Sequence, residues 1–246
     1  MLVADGKTAA YAQVEQALGT APETPDCGHA DFGPHITERL DPELKKSVFV
    51  FNLHVTPDND RCTGFDRQRL EIKTDGHSPA YVKGLLGDSV TFRWLFKLPA
   101  GFQPSTNFTH IHQIKAFDGD AGLPIITLTP RKADPDRIEL IHVDSHGATT
   151  KLASTKLAPF IGQWVEAYEK ITYGHQGRYS IVLRALHGGA PLLEYASDHL
   201  DLWRTGTTMV RPKWGIYRSL NAPGDLRDEQ VFFDRFCLAK GSDDCP

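Results

Sequence analysis

The chain has 246 residues, 40% hydrophobic and 24% charged, which are globular values ample for a sizeable core. Its 27 Lys and Arg against 31 Asp and Glu leave a formal net charge of −4, which argues against general binding to nucleic acid or anionic membrane. An anionic substrate stays open, because a local cationic groove can coexist with an acidic exterior, and no apolar run approaches the ~18 residues of a membrane span.

The N-terminus, "MLVADGKTAAYAQ", lacks the basic start and apolar core of a signal peptide. Either the protein is cytosolic or a signal has been removed with Met1 in its place; secretion is the expectation. Residues 8–18, "TAAYAQVEQAL", have helix-forming composition, end at Gly19 and lead into a Pro-rich link, "TAPETPDCGH". Cys27, Cys62, Cys237 and Cys245 show no C-x-x-C spacing, so zinc is not expected. Cys237 and Cys245 flank a short polar loop that a disulfide would close, leaving Cys27 to pair with Cys62. Four cysteines permit three connectivities, and this is the preferred one.

From about residue 47 the texture changes. "SVFVFNLHV", "DRQRLEIKT", "SVTFRWLFKLP", "FTHIHQIKAF", "PIITLTP", "RIELIHV", "QWVEAYEKITY", "RYSIVLRAL", "RPKWGIYRS" and "QVFFDRFCLAK" are short runs rich in Val, Ile, Thr and aromatics, punctuated by Gly, Pro, Asp and Asn. About ten strands without intervening helices predict an all-β jelly roll, a concanavalin-like sandwich, as one domain over residues 1–246 with an N-terminal arm over 1–45. Between the runs, "HVTPDNDRC" offers Asp58, Asn59 and Asp60, an acidic turn or hard-oxygen ligands for a structural calcium. Asp234 in "VFFDRF" falls among phenylalanines and needs a partner if buried.

Strand parity then selects a face, since alternate side chains point the same way. In "RPKWGIYRS", Arg211, Lys213, Gly215, Tyr217 and Ser219 share one side. In "DRQRLEIKT", Arg67, Arg69, Glu71 and Lys73 lie opposite Gln68, Leu70 and Ile72. In "HIHQIK", Ile111, Gln113 and Lys115 lie together, and His110 and His112 fall with Ile114, as core or rim histidines. Any one such strand by itself reads first as a solvated antiparallel face. Three matched cationic or amide rows on neighbouring strands would make a groove.

These residues carry a resemblance. R-x-E-x-K at Arg69, Glu71 and Lys73 is similar to the R-x-E-x-R strand of jelly-roll alginate lyases. Gln113–Lys115 resembles their Q-I-H strand, and Lys213–Tyr217 their K-x-G-x-Y strand, in the same order. Heparin lyase I shares the lysine-to-tyrosine spacing, and the texture of "FTHIHQIKA", "QWVEAYEKITYG" and "RPKWGIYRSL" is most similar to glucuronan lyases. The likeness spans roughly residues 60–240. Lys115 stands where the alginate lyases have a histidine, so the catalytic base cannot be carried over at that position.

The resemblance implies a polysaccharide lyase acting on an anionic polyuronate by β-elimination, with β-1,4-glucuronan as the expected substrate. Such an enzyme neutralises the uronate carboxylate and holds the enolate-like charge that develops. Gln113 is the expected neutraliser, with Arg69 and Lys73 adding positive field and Glu71 orienting them. Tyr217 is the expected base and acid, with Lys213 favouring the phenolate by direct charge interaction. Gly215 would leave room for the sugar ring. Where H5 and O4 share one side of the ring, one tyrosine can move the proton both ways; otherwise a second residue is needed. His77, in a turn after the charged strand, is a further catalytic candidate, and Lys115, Arg67 and Arg211 complete the expected substrate contacts. No cofactor is required for this chemistry, and a monomer is expected. The alternatives are a non-catalytic carbohydrate-binding jelly roll and, last, a glycoside hydrolase, which needs two carboxylates across the scissile bond.

Overall fold

The computed structural model describes residues 1–241 and 243–245. Thirteen strands are described: β1 (Ile36–Asp41), β2 (Lys46–Leu53), β3 (Arg67–Lys73), β4 (Ser89–Lys97), β5 (Thr109–Ala116), β6 (Ile126–Arg131), β7 (Arg137–Val143), β8 (Thr149–Lys156), β9 (Trp164–Thr172), β10 (Gly177–Ala185), β11 (Leu193–Leu200), β12 (Val210–Ser219) and β13 (Glu229–Lys240). They form a seven-stranded sheet in the order β1-β2-β13-β4-β9-β10-β11 and a six-stranded sheet in the order β3-β12-β5-β6-β7-β8. All named pairings are antiparallel.

The ten runs rich in β-branched and aromatic residues are all strands. The three unpredicted strands are polar. β8 (TTKLASTK) has no fully buried residue and β11 (LEYASDHL) has one, so neither shows an apolar signature. β1 lies inside the stretch read as an arm, yet pairs with β2 along its whole length. The arm's helix, α1 (Ala10–Leu18), stops at Gly19, which takes a left-handed φ of 72° and donates its amide to the Glu15 carbonyl.

One apolar cluster lies between the sheets, where Leu70 and Ile72, Trp214 and Ile216, and Leu128 and Leu140 meet Phe51, Trp94, Phe96, Ile181 and Phe233. Three polar side chains partner one another within this layer: His112 Nε2 meets Glu169 Oε2 at 2.9 Å, and Glu169 Oε1 accepts from the Tyr179 hydroxyl at 2.7 Å. Asp234 is fully buried and takes Lys46 Nζ at 2.7 Å, the partner its position demands. Disulfides join Cys27 to Cys62 and Cys237 to Cys245, the expected pairing.

Candidate active site

The six-stranded sheet turns one face to the core, so its other face is free to collect polar side chains. Three adjacent strands supply them in register: Lys213 lies opposite Lys73 and Gln113, Gly215 opposite Glu71, Tyr217 opposite Arg69, and Arg211 opposite Lys115. Because opposed residues share a face, the three charged rows of the sequence become one surface.

Glu71 is its hub. The carboxylate accepts from Arg69 Nη1 at 2.5 Å, from Lys213 Nζ at 2.7 Å and from Gln113 Nε2. Burial alone would raise its pKa, but Lys213 and Arg69 outweigh that and hold it down to about 2. Glu71 is 1% exposed and both its oxygens are engaged by neighbouring side chains. That low pKa keeps the carboxylate ionised. It also makes Glu71 a poor general acid, which counts against a hydrolase.

Tyr217 sits at the other end of the same face. Its hydroxyl accepts from Arg67 Nη1 at 2.8 Å, and the Arg69 guanidinium lies 3.7 Å from the ring centroid. The cations that touch the phenol are thus Arg67 and Arg69. Lys213 is committed elsewhere: its ammonium lies between Glu71 and Glu23 and is 1% exposed. The cation on the phenol oxygen is Arg67, not the expected Lys213.

Gly215 also departs from expectation. With φ at +152°, a Cβ here would lie 1.9 Å from the Leu70 carbonyl oxygen and 2.8 Å from the Glu71 Cα. The space is filled by the backbone of β3, so close strand approach explains the glycine and room for a sugar does not.

Two residues at this face escaped the sequence reading. On β12 three steps, from Trp214 to Tyr217, match only two on β5, from His112 to His110. This irregularity breaks the strict alternation of β5: Ile111 joins the core, while His110 comes to Tyr217 with ring centroids 5.9 Å apart and stacks on Phe108 at 5.1 Å. Burial pushes the His110 imidazole down to about 3, so it is neutral, and its buried Nδ1 has no hydrogen-bond partner.

The second is Glu23, in the Pro-flanked link of the arm. Its amide and carbonyl pair with those of Glu71 at 2.8 and 2.9 Å, adding a short extended segment outside β3. Its carboxylate reaches Lys213, Arg61 Nη1 at 3.0 Å, Arg69 Nη1 at 3.6 Å and Lys73 Nζ at 4.0 Å. Burial would raise its pKa, but Lys213 and Arg69 lower it on balance.

The remaining cations line the far end. Lys115 Nζ donates to the carbonyls of Ala121 at 2.5 Å and Gly122 at 2.9 Å. Burial, then repulsion from Lys213 and Arg69, brings its pKa down to about 8. Arg211 donates to the Thr74 carbonyl at 3.2 Å and lies over Phe117. Lys73, lowered chiefly by burial, faces Asp75 at 3.6 Å. His77 is not drawn in: its side chain is 94% exposed, and its nearest charged partner is Asp75 at 3.7 Å. A separate cavity lined by Ser89, Lys170, Arg178 and Asp244 holds none of these residues.

The oxygens considered for calcium have protein partners. Asp60 takes Arg69 Nε at 3.0 Å and Arg61 Nε at 2.7 Å, Asn59 Oδ1 accepts from the Cys62 amide, and Asp58 faces three histidines.

No protein-family model matches the chain, and no curated protein sequence matches it. Solved structures do. The endo-β-1,4-glucuronan lyase of the fungus Trichoderma reesei superposes with a TM-score of 0.59 at 15% identity, over 85% of this chain and 88% of that one. The alginate lyase of Klebsiella pneumoniae gives 0.59 at 15% identity over 85% of each chain. Alginate lyase A1-II', of polysaccharide lyase family 7, gives 0.60 at 12% identity over 89% of this chain and 93% of that one. The protein therefore has the jelly-roll fold of polysaccharide lyases, with its polar face on the sheet that carries Tyr217.

Proposed function

We propose that the protein is a polysaccharide lyase that cleaves an anionic polyuronate by β-elimination, with β-1,4-linked glucuronate as the favoured substrate. The observation that carries this is the phenol of Tyr217 held between Arg67 and Arg69, on one face with the Glu71–Lys213–Gln113 cluster. A binding module needs a cationic face but no phenol with a guanidinium on its hydroxyl oxygen.

In this reading Tyr217 takes the C5 proton, the C4–O4 bond breaks as the C4–C5 double bond forms, and the same hydroxyl returns the proton to O4. Arg67, donating to the phenol oxygen, stabilises the phenolate that takes the proton. Gln113 is 1% exposed and gives one of its two amide hydrogens to Glu71; in this reading the other donates to a uronate carboxylate seated directly on the sheet. Arg69, Lys73, Lys115 and Arg211 supply the surrounding positive field. The two disulfides fit secretion into an oxidising compartment, and no helix among the described residues is long and apolar enough to cross a membrane.

A second reading rests on His110. With its ring centroid 5.9 Å from that of Tyr217, His110 would take the proton and tyrosine return one in an elimination across opposite sides of the ring, as guluronate requires. This needs substrate binding to relieve the burial that makes the imidazole a weak base. Incubation with glucuronan, mannuronate-rich and guluronate-rich alginates and heparin, followed by the ultraviolet absorbance of unsaturated uronates, separates the readings. Glucuronan cleavage with guluronate blocks untouched is the expected result. Guluronate cleavage alone selects the second reading, and binding without absorbance change on any polymer overturns lyase activity.

A further inference from the structure

A second cluster of chemically capable side chains lies apart from the polar face. His29 sits between two short turns of the arm, His35 just before β1, His54 just after β2, and Asp58 four residues later. One ligand atom from each lies within 4.8 Å of all the others. Asp58 is central: Oδ1 is 2.8 Å from His29 Nδ1 and 3.1 Å from His35 Nε2, and Oδ2 is 3.1 Å from His54 Nδ1. The edge of a tetrahedron with metal–nitrogen bonds of ~2.0–2.1 Å is roughly 3.3 Å, so the Asp58–histidine separations are near that spacing and the wider ones, up to 4.8 Å, must contract around an ion.

Three further observations fit a metal. His35 Nδ1 faces Asp26 Oδ1 at 2.7 Å, which fixes that proton and aims the Nε2 lone pair into the cluster, the carboxylate–histidine–metal arrangement. Asp58 is held by the His54 amide on Oδ2 at 2.6 Å and by Gln68 Nε2 on its carbonyl at 2.9 Å. Phe32 covers all three imidazoles with centroids at 4.3–5.4 Å. His35 and Asp58 side chains are fully buried, while those of His29 and His54 are 22% and 20% exposed, giving a route of entry.

We infer that His29, His35, His54 and Asp58 form a structural site for a divalent transition metal, zinc by its donor set. Three imidazoles and one carboxylate suit zinc, whereas calcium takes six to eight oxygens. Four protein ligands complete a tetrahedron and leave no open position for catalysis. Two ligands belong to the arm and two to the end of β2 and its loop, so the metal ties the arm to the sandwich a few residues beyond Glu23. Next to it the Cys27–Cys62 disulfide joins the same two segments, with Cα atoms 6.2 Å apart.

The test uses full-length oxidised protein stripped with a chelator, then titrated calorimetrically with zinc chloride or calcium chloride. One zinc per chain is expected, with a rise in melting temperature, no comparable calcium binding, and a four-coordinate visible spectrum on cobalt substitution. Asp26→Asn should weaken zinc binding ~10–100-fold, the scale for losing a carboxylate behind a ligating histidine. His29→Ala should weaken it at least as much, and the rise in melting temperature on adding zinc should shrink relative to the variant's own metal-free melt, which controls for the lost 2.8 Å contact with Asp58. Absence of stoichiometric zinc binding, undiminished affinity in a His29→Ala/His54→Ala double variant, or equal affinity for calcium would each overturn the site. None of these readouts depends on lyase activity.

Discussion

Tyr217→Phe is the sharpest perturbation, because it removes one oxygen and leaves the ring. The ring keeps the Arg69 guanidinium 3.7 Å from its centroid and Phe108 at 4.9 Å, so packing is retained. The loss is one hydrogen bond from Arg67 Nη1, and that guanidinium remains paired with Asp66 at 2.6 Å. A hydrogen bond with one charged partner contributes ~1.5–3 kcal/mol when well buried. Arg67 is only half-buried, so ~1 kcal/mol is the working figure, a drop of ~2–4 °C in melting temperature for a chain of this size. Turnover should fall far more, by ~10²-fold or greater, the scale of losing a positioned acid–base group and equivalent to ~2.7 kcal/mol of barrier. Oligosaccharide binding should persist, since the cations and Gln113 are untouched. The assay is kcat from the ultraviolet absorbance of unsaturated product, with calorimetric binding and thermal melting as controls. A folded variant with near-normal kcat would refute the reasoning and move the base to His110.

Three further outcomes follow from the geometry. Lys115, with a pKa of about 8, is charged below that pH and loses its charge above it, so its contribution to polyuronate binding fades as pH rises; Lys115→Gln should flatten the pH dependence of calorimetric affinity between roughly pH 7 and 9.5, where a wild-type-like slope would disprove the assignment. Gly215→Ala should destabilise by ~2–3 kcal/mol or more in urea unfolding, because its Cβ meets β3 backbone that cannot yield; an unchanged midpoint would mean the strands separate freely there. Glu23→Gln removes one of the two carboxylates that neutralise Lys213, so KM on polyuronate should fall several-fold while the melting temperature drops; a raised KM would show that Glu23 orders the site for substrate.

The strand content was legible because burial against a core demands β-branched and aromatic residues, and ten such runs are written plainly between turn residues. β8 and β11 were invisible for the complementary reason: with little to bury, their sequences carry no apolar alternation. Strand parity also determined that Arg69, Glu71 and Lys73, Gln113 and Lys115, and Lys213 and Tyr217 share faces within their own strands, since a two-residue period leaves no other option. What parity cannot supply is adjacency. Only the order β3-β12-β5 merges the three rows, and only the uneven match of β12 to β5 turns His110 toward Tyr217. Which cation touches the phenol likewise depends on side-chain paths across the sheet, and these give the hydroxyl to Arg67 and Lys213 to two carboxylates. Glu23 and the His29–His35–His54–Asp58 cluster lie further still from any sequence signal. Their members are scattered over an irregular arm and a loop, where no period relates side-chain direction to position, and only the folding of that arm onto the sandwich brings them together.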